Sequence, residues 1–590
     1  MILSGLVDLV SSDPVLARAI DYCRSGRLPA LDVTLPEPVR PLFAAALAQR
    51  TPRPLLLVTS TFREAEAVSS ALTSLLPEES VVYYPAWETL PHERLSPRSD
   101  TVGRRLAVLR RLVGNDPLGA PRVVVAPVRA LLQPQVVGLG HLKPVRIVAG
   151  EDYDITDVAR DLVGAAYTRV DLVERRGEFC VRGGIIDVFP PTVEHPVRID
   201  FFGDTVEEIR TFSVADQRSF DVTLSEIIAS PCRELLITDE VKARAARLAA
   251  QYANTPGNVG ELFDRIAAGH AVDGMEALAP VLVDGMELLI DVMPADTTVL
   301  ISDPERIRTR AHELVTTSEE FLNASWAAAA EGGREPIDLA AAAYRALADV
   351  RAHALERGQA WWSLSPFSAG PEGSRELEPT SSSLTSLVVD AQEAPVWRGD
   401  TQAAVAAVAD SLRAGNRVVL VADSPGLAKR MVEVLAESDV PVALADPALP
   451  PTPGVVGVLV AELRHGFSLP AIALNVFTAG DLSGQRDTDK STRKLPARRK
   501  NQIDPLELST GDPVVHEQHG VGRYIEMVQR TVAGATREYL VIEYAASKRG
   551  QPADRLYVPM DQLHLVTRYV GGENPTLDKM GGADWAKRTS

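Results

Sequence analysis

The sequence predicts a multidomain α/β protein whose last domain is a small β-barrel. In residues 1–140 and again in 387–480, apolar runs of strand length alternate with segments of helical spacing. This alternation is typical of parallel sheets. The 143–230 segment instead alternates apolar and polar residues, which favours an antiparallel sheet. Residues 506–575 contain short strand-like runs separated by turns, a pattern that indicates a small barrel.

The composition is that of an ordinary globular protein, with 45% hydrophobic and 24% charged residues. No apolar run approaches the roughly 18 residues that span a bilayer, and the start lacks a secretory signal. Cys23, Cys180 and Cys232 are isolated in the sequence, so we expect a reducing, cytoplasmic location with no disulfide framework and no membrane partner. A net charge of −18 disfavours nonspecific DNA binding, which depends on Lys and Arg.

Six segments follow one another along the chain. They are an α/β domain at 1–142, a sheet-rich insert at 143–230, the completion of the first module at 231–372, a second small α/β domain at 387–482, a basic linker at 483–505 and the barrel at 506–578. Residues 370–386 are rich in Gly, Ser, Glu and Pro and indicate a further linker. The basic linker is either a solvated connection or a strap that lies near nucleic acid.

Strands and helices of the two α/β segments follow from their apolar spacing. The first segment predicts strands at 54–59, 81–84 and 122–126, helices at 62–76 and 101–113, and a later strand at 298–302. The second predicts helices at 402–414 and 426–437 and strands at 417–422, 455–460 and 471–477. Apolar residues recur at helical spacing in the 62–76 and 402–414 helices, which indicates that both pack against a core and hold no cofactor.

In the insert, residues 197–202 alternate so that every second side chain faces the same side of a strand. Arg198, Asp200 and Phe202 share the side opposite the core, and Arg182 lies on the neighbouring alternating segment. An exposed Phe beside Arg has the composition of an interface hot spot. The alternative is that Arg182 and Arg198 pair with Asp187 or Asp200 and that Phe202 is an ordinary core residue.

The motifs of several kinds of chemistry are absent. The sequence contains no Gly-Lys dipeptide, so it lacks the phosphate-binding loop GxxxxGK[ST]. It also lacks CxxC, HExxH and GxSxG motifs. His516 and His519 have the spacing of a ligand pair, but no further His or Cys nearby completes a metal shell. We therefore predict no catalytic residue, no metal site and no cofactor.

Four segments resemble known repair proteins, in the same order. Residues 54–97, 165–209 and 273–307, which include AAYTRVDLVERRGEFCVRGGIIDVFPP and VRIDFFGDTVEEI, resemble the excision-repair protein UvrB. Residues 511–572, from GDPVVHEQHGVGRY to HLVTRYVGG, resemble the polymerase-interaction domain that coupling factors share with CarD-type regulators. The combination resembles the N-terminal portion of the bacterial transcription-repair coupling factors.

The chain departs from this resemblance at the nucleotide site. UvrB has a Gly-Lys-Thr loop before its counterpart of 54–97, whereas residues 35–50 here contain no glycine. The strand that should end in an Asp-Glu box ends in Ser302-Asp303-Pro304. The resemblance thus implies a helicase-like module without ATP chemistry. It also implies that the ATP- and Mg-dependent DNA translocase lies beyond the polymerase-binding domain, so we expect this fragment to hydrolyse no ATP.

Two partners are implied by the resemblance. Arg182, Arg198 and Phe202 match the residues with which UvrB and coupling factors bind UvrA. Arg530, with Tyr557 and Val558 as further candidates, falls in the strands that pair with the β subunit of RNA polymerase, although the family varies in residue type at Arg530. DNA contacts are expected mainly from the translocase.

The resemblance leads us to expect that Arg198→Glu abolishes UvrA binding at little cost in stability. Two other functions stay open at this point. One is an ATP-dependent repair enzyme of the UvrB kind, and the other is a transcription regulator of the CarD type. The 387–482 domain has no motif that indicates a chemical role.

Overall fold

The computed structural model describes most of the chain as two compact units, residues 1–486 and 487–590. The described residues are 2–90, 95–252, 259–331, 339–366, 385–397, 399–483, 511–516, 520–532, 535–545, 553–559, 566–568 and 577. The basic linker at 483–505 therefore lies almost wholly outside them. Within this described part, every helix is too short or too polar to cross a membrane.

Several of the helices begin at residues whose side chains satisfy free N–H groups of the first turn. Thr61, Asp154, Asp400 and Ser424 each accept a hydrogen bond from the backbone two or three residues ahead, which is the usual N-cap arrangement. The α-helices are Ser4–Val10, Pro14–Ser25, Arg40–Arg50, Phe62–Leu75, Ser99–Leu112, Val128–Leu132, Ile155–Gly164, Asp239–Tyr252, Val259–Ala267, Ala279–Leu282, Leu289–Val292, Pro304–Glu331, Leu347–Glu356, Thr401–Arg413, Pro425–Glu437 and Ala479–Ser483.

A seven-stranded parallel sheet, the central sheet, forms the middle of the first unit. Its strands in spatial order are Thr385–Val388, Ala30–Thr34, Ala360–Ser365, Thr298–Ser302, Leu55–Thr59, Val123–Pro127 and Val81–Tyr83. Every residue of Leu55–Thr59, Val123–Pro127 and Thr298–Ser302 is buried, as expected for strands covered on both faces. The parallel sheet predicted from alternating strands and helices is confirmed.

The edge strand Thr385–Val388 corrects the predicted division of the chain. It pairs with Ala30–Thr34, so the expected start of the second α/β domain at 387 falls inside a strand of the central sheet. The 370–386 segment, taken as a linker, likewise ends within this strand. Its polar Thr and Ser residues follow a Ser-rich stretch, and composition alone could not separate strand from linker.

The insert folds into a six-stranded sheet, the insert sheet. Its strands in spatial order are Ser219–Thr223, Thr205–Phe212, Val197–Phe202, Ile185–Val188, Glu178–Arg182 and Thr168–Arg169. Neighbours are antiparallel except for the last pair. A hairpin joins Glu178–Arg182 to Ile185–Val188, because Gly183 takes a positive φ of 60° and turns the chain.

Helix Ile155–Gly164 covers one face of the insert sheet. Its buried Val158 and Leu162 lie in one hydrophobic cluster with Ile186, Ile199 and Ile209 of the strands. At the base of the insert, Val145–Val148 pairs antiparallel with Glu226–Ala229 and so brings the two ends of the insert together. A second short pair joins Gln135–Val136 to Met286–Glu287.

The second α/β sheet has six strands. In spatial order they are Gln392–Glu393, Phe467–Leu469, Leu474–Thr478, Arg417–Ala422, Val456–Val460 and Val442–Leu444. One hydrophobic cluster contains Leu6 and Val10 of the first helix, Leu57 of the central sheet, and Val419 and Leu459 of the second sheet. The two α/β modules therefore share a core.

The first helix, Ser4–Val10, lies where the two modules meet. Leu3 N donates to Ser74 O at 2.9 Å, and Gly5 N donates to Pro447 O at 3.0 Å. A Cβ at Gly5 would lie 2.1 Å from the backbone carbon of Leu449. Only glycine permits this close approach of two backbones.

The second unit contains an antiparallel sheet of five strands. In spatial order they are Asp554–Pro559, Ala535–Tyr544, Gly520–Val532, Pro513–His516 and Val566–Arg568. Val514, Leu540, Ile542, Tyr544 and Val558 form the centre of its hydrophobic cluster.

A fully buried ion pair fixes the return of the chain from the insert to the central module. Arg105, on helix Ser99–Leu112, is 0% exposed and places Nε 2.5 Å from Oε1 of Glu234. Its Nη1 donates to Pro85 O at 2.9 Å, and its Nη2 donates to Gln135 Oε1 at 3.1 Å. Trp87 Nε1 also donates to Glu234, at 3.0 Å. The opposite charge of Glu234 compensates the burial of the Arg105 guanidinium.

We expect Glu234→Gln to lower the free energy of unfolding by about 3–5 kcal/mol, because a buried guanidinium then lacks its counter-charge. Urea unfolding of both proteins measures the difference. Glu226→Gln is the matched control, since its pair with Arg146 is exposed and a surface pair contributes about 0–1 kcal/mol. Equal losses in the two variants would contradict the structural role of the buried pair.

Candidate functional site

The face of the insert sheet that points away from helix Ile155–Gly164 carries a row of charged residues. Arg198 lies opposite Asp187 on one neighbouring strand and opposite Arg210 on the other. Arg182 lies opposite Ile185, which in turn lies opposite Asp200. We call this surface the arginine face. It consists of Arg182, Ile185, Asp187, Arg198, Asp200, Phe202, Glu208 and Arg210.

Asp187 is the buried centre of the arginine face, with 1% of its surface exposed. Its Oδ1 accepts from Arg198 Nε at 2.7 Å, and its Oδ2 accepts from Arg198 Nη2 at 2.9 Å. The same Oδ2 accepts from Arg182 Nη2 at 2.5 Å. One carboxylate thus holds two guanidinium groups, and the hydrogen bond from Arg198 to Asp187 raises the pKa of Arg198.

The two arginines differ in how much of them can reach a partner. Arg198 has 18% of its side chain exposed and Arg182 has 48%. Arg198 is further fixed by Gln217, whose carbonyl oxygen accepts from Nη1 at 3.3 Å, and by the ring of Phe212, 4.8 Å away. Both arginines therefore pair with Asp187, as the alternative interpretation expected. Arg182 nevertheless stays accessible to a partner.

The burial of Asp187 changes what charge reversal at Arg198 should do. A glutamate at this position would face the buried carboxylate across the strand pair and would remove its bidentate partner. Like charges in a site that excludes water are destabilising. We therefore expect Arg198→Glu to destabilise the insert, whereas the sequence led us to expect little cost because it indicated an exposed strand residue.

Phe202 ends its strand immediately before the turn at Gly203, which has a φ of 64°. Its surface is 80% exposed, so the alternative that it belongs to the core is wrong. The residues that alternate with it, Val197 and Ile199, are at most 1% exposed. An exposed phenylalanine on the same sheet face as two paired arginines is a suitable anchor for a protein partner.

A shallow cavity of about 400 Å³ opens on the arginine face. Arg182, Ile185, Arg198 and Gln217 line it. Most of this lining is apolar, so the aliphatic parts of the four side chains contribute more of it than their polar ends.

Arg210 and Glu208 are parts of this face that the sequence did not predict, and neither did it predict that Gln217 lines the cavity. Arg210 pairs with Asp200 at 2.9 Å and with Glu208 at 3.2 Å. The alternation of 205–212 carries a signal for Arg210. The register shifts between Asp200 and Phe201, however, and no simple count of residues places Arg210 opposite Arg198. The positive φ of Gln217, 59°, belongs to a turn that periodicity cannot detect.

A small polar cluster lies at the carboxyl ends of the central strands. In many parallel sheets, nucleotides bind at this edge. Arg40 begins helix Arg40–Arg50 and donates through Nη1 to Ser302 Oγ at 3.0 Å. Ser302 Oγ donates to Glu64 Oε1 at 3.3 Å, and Ser60 Oγ donates to Glu64 Oε2 at 2.8 Å. Burial lowers the pKa of Arg40 and raises the pKa of Glu64.

Asp303, which follows the strand Thr298–Ser302, has a structural task. It adopts a positive φ of 62°, and its Oδ1 accepts from Arg306 N at 3.3 Å at the start of helix Pro304–Glu331. This carboxylate caps the helix. In the described ranges, no group of three or more His, Cys, Asp and Glu is arranged to hold a metal ion. His519 lies outside them.

The second unit places the other predicted residues on two of its strands. Arg530 lies on Gly520–Val532 opposite Arg537, and its side chain is outside the described part. Tyr557 is half-buried, whereas Val558 is 2% exposed and packs in the core. Any contribution of Val558 to a partner therefore comes from its backbone. Its strand, Asp554–Pro559, ends the described sheet at one side.

Two family models match the chain. Residues 145–234 match the UvrB interaction domain, and residues 508–570 match the CarD-like/TRCF RID domain. The arginine face lies inside the first match, and the antiparallel sheet of the second unit lies inside the second. The protein is therefore of a class that combines a UvrB-type interaction domain with a CarD-like domain.

Transcription-repair-coupling factors match nearly the whole chain. The factor of Mycobacterium tuberculosis (strain CDC 1551 / Oshkosh) is 46% identical, over 99% of this chain and 48% of its own length. That of Bacillus subtilis (strain 168) is 30% identical, over 93% and 46%. That of Escherichia coli (strain K12) is 27% identical, over 92% and 45%. The chain spans about half the length of these relatives, and the predicted resemblance to the transcription-repair-coupling factor family is confirmed.

Proposed function

We propose that this chain acts in transcription-coupled DNA repair as a two-partner adaptor. It binds stalled RNA polymerase through its second unit and recruits UvrA, of nucleotide excision repair, through the arginine face. The observation that carries this proposal is an exposed Phe202 and a half-exposed Arg182 within the matched interaction domain, on the same chain as the CarD-like domain. Linking two binding modules raises the effective concentration of one partner near the other.

The contact with UvrA rests on Phe202, Arg182 and Arg198. Aromatic residues and arginine supply most of the binding energy at protein interfaces, and here they stand on a rigid sheet. Arg198 contributes mainly by fixing the surface, since Asp187, Gln217 and the ring of Phe212 hold its guanidinium. Because Asp187 holds both guanidinium groups before binding, little of their conformational freedom is lost in the complex.

The contact with polymerase rests on the second unit. We propose that its sheet closes into a small barrel of the CarD or Tudor-like type and pairs edge to edge with the β subunit. Arg530, Tyr557 and the backbone of Val558 supply the contact. In strand addition the backbone provides affinity and a few side chains provide specificity. A half-buried Tyr557 beside a buried Val558 fits this division of roles.

This fragment is proposed to be no enzyme and to hold no cofactor, with ATP-driven DNA translocation assigned to a further part of the full-length relatives. The cluster of Arg40, Ser302 and Glu64 occupies the strand ends, and Asp303 caps a helix. These observations disfavour an ATP-dependent repair enzyme of the UvrB kind. A CarD-type regulator would leave the arginine face without a partner. We also propose a cytoplasmic location, in keeping with the proposed role in transcription-coupled repair.

Phe202→Ala should weaken binding to purified UvrA by more than tenfold, because a hot-spot aromatic contributes about 2 kcal/mol or more. Its exposure means that the urea midpoint should stay unchanged. Calorimetric titration measures the affinity, and Val163→Ala is the control, since Val163 is 56% exposed on the helix that covers the opposite face. Unchanged affinity of the Phe202 variant would refute the assigned face.

Arg530→Ala should weaken binding to the isolated β lobe of RNA polymerase by about 1–2 kcal/mol, since interface arginines often contribute at this level. The same titration of Arg523→Ala, an exposed arginine nearer the other end of the strand, is the control. If both variants bind as tightly as the unaltered protein, the Arg530 assignment is wrong.

A titration with ATP and Mg²⁺ should give no saturable heat up to millimolar nucleotide. The phosphate-binding loop is missing, and a buried arginine takes part in the cluster at the strand ends. The motor-containing full-length protein serves as the positive control. Saturable binding by this chain that Arg40→Ala abolishes would revive the repair-enzyme alternative.

A further inference from the structure

The described part of the first unit ends in a short helix, Ala479–Ser483, which follows the strand Leu474–Thr478. This strand lies inside the second α/β sheet, between Phe467–Leu469 and Arg417–Ala422. From Ser483 the chain continues to the second unit. Any force that the backbone carries between the two units therefore reaches the first unit at this helix.

A capping box joins the helix to the end of its strand. Thr478 Oγ1 accepts from Asp481 N at 3.3 Å, and Asp481 Oδ2 accepts from Thr478 N at 2.8 Å. Such reciprocal bonds are typical of helix N-termini. Both residues are 1% exposed, so water does not compete for these bonds in the folded protein.

Asp481 also holds the start of the neighbouring strand. Gly466 N donates to Asp481 Oδ2 at 2.8 Å. A Cβ at Gly466 would lie 2.2 Å from Val476 O and 2.7 Å from Asp481 Oδ2, so the close approach requires glycine. His465 Nδ1 lies 3.8 Å from the other carboxylate oxygen. One buried carboxylate thus joins the helix, its own strand and the beginning of the next strand in the sheet.

The segment that opens the second module contacts the same helix through its backbone. Trp397 N donates to Asp481 O at 2.9 Å, and Gly399 N donates to Leu482 O at 3.3 Å. The ring of Trp397 packs edge-on against Phe477, with the ring centroids 5.3 Å apart. The final helix is therefore bonded to two segments besides the strand that precedes it.

We propose that Asp481 is the anchor of the connection between the two units, the residue that keeps the last strand of the first unit in place when their partners move apart. This inference rests on the proposed two-partner function. An adaptor that holds UvrA on one unit and RNA polymerase on the other is pulled through its backbone whenever those partners separate. The anchor gives the second α/β module a role, since this module supplies every contact of Asp481 named above.

The anchor fixes the length of the connection. Without it, a pull from Ser483 would first release residues 474–483, because these are the first described residues that the force reaches. The connection would lengthen by about 35 Å, since an extended residue spans roughly 3.5 Å. A change in the length of a connection changes the effective concentration of one partner near the other.

The experiment pulls single molecules of the whole chain in an optical trap. Arg160→Cys and Ser491→Cys provide the two attachment points. Arg160 has 69% of its side chain exposed on the helix of the insert, and position 491 follows the anchor in the sequence. The three native cysteines are buried, so the attachment chemistry should select the two introduced thiols.

At constant force, Asp481→Ala should raise the rate of the first opening step by about tenfold or more. Two buried N–H groups, those of Gly466 and Thr478, then lose their acceptor. The step should lengthen the molecule by about 35 Å, the span of the released segment. Asp481→Asn keeps one acceptor oxygen and should give a smaller increase. If Asp481→Ala fails to fold, the rate for Asp481→Asn decides the question.

Asp446→Ala is the matched control. Asp446 lies in the same module, and its carboxylate also accepts from a backbone N–H, that of Ala448 at 2.9 Å. It is exposed, and surface substitutions usually change stability little, so the opening rate should stay within about twofold. A rate for Asp481→Ala that equals the rate of this control would overturn the proposal.

A second pulling direction separates anchoring from general stabilisation. Arg27→Cys, at an exposed position of the central module, replaces Ser491→Cys, so the force no longer enters through Ser483. Asp481→Ala should then leave the opening rate within about twofold. An equal increase in both directions would make Asp481 a general stabilising residue and would also overturn the proposal.

The pulling experiment contains neither UvrA nor RNA polymerase, so its outcome is independent of partner binding. An unchanged opening rate in a chain that binds both partners would remove only the anchor. Failure of the unaltered chain to bind the partners in the titrations above would remove the proposed function, and with it the role of the anchor in connecting them.

Discussion

The fold of the first unit depends on one fully buried ion pair whose two charges match. Arg105 and Glu234 exclude water completely where the chain leaves the insert and re-enters the central module. Asp187 repeats this arrangement at the surface of the insert, with one side of the cluster left open. The first pair is closed on all sides and therefore structural. The second leaves about half of the Arg182 side chain exposed to solvent.

The fold could be predicted from sequence wherever burial was uniform. Strands at 55–59, 123–127 and 298–302 are continuous apolar runs, because both of their faces are covered. Ala30–Thr34 and Ala360–Ser365 were missed, although they are neighbours in the same sheet. Asp32 interrupts the first and accepts from Ser365 of the second, and this compensation joins positions 333 residues apart. No local pattern can indicate such a pairing.

The candidate site shows a similar division. Alternation along one strand was sufficient to place Arg198 and Phe202 on one face, away from Val197 and Ile199. It could not show that Asp187 is buried, because an aspartate in an alternating strand is expected to face solvent. The alternation also did not indicate Arg210, because the pairing register shifts between the strand of Arg198 and the strand of Arg210. Val558 was named from a resemblance, which indicates the strand but does not show that the Val558 side chain faces the core.

The first helix, Ser4–Val10, has a consequence for how the α/β modules should be handled. Its apolar residues belong to the same core as strands of both sheets, and Gly5 permits backbone contact with the second module. Neither module keeps a complete interior when the other is removed. Cutting the chain near residue 387 would expose an apolar surface on each product. The two modules should therefore be produced and crystallised as one protein.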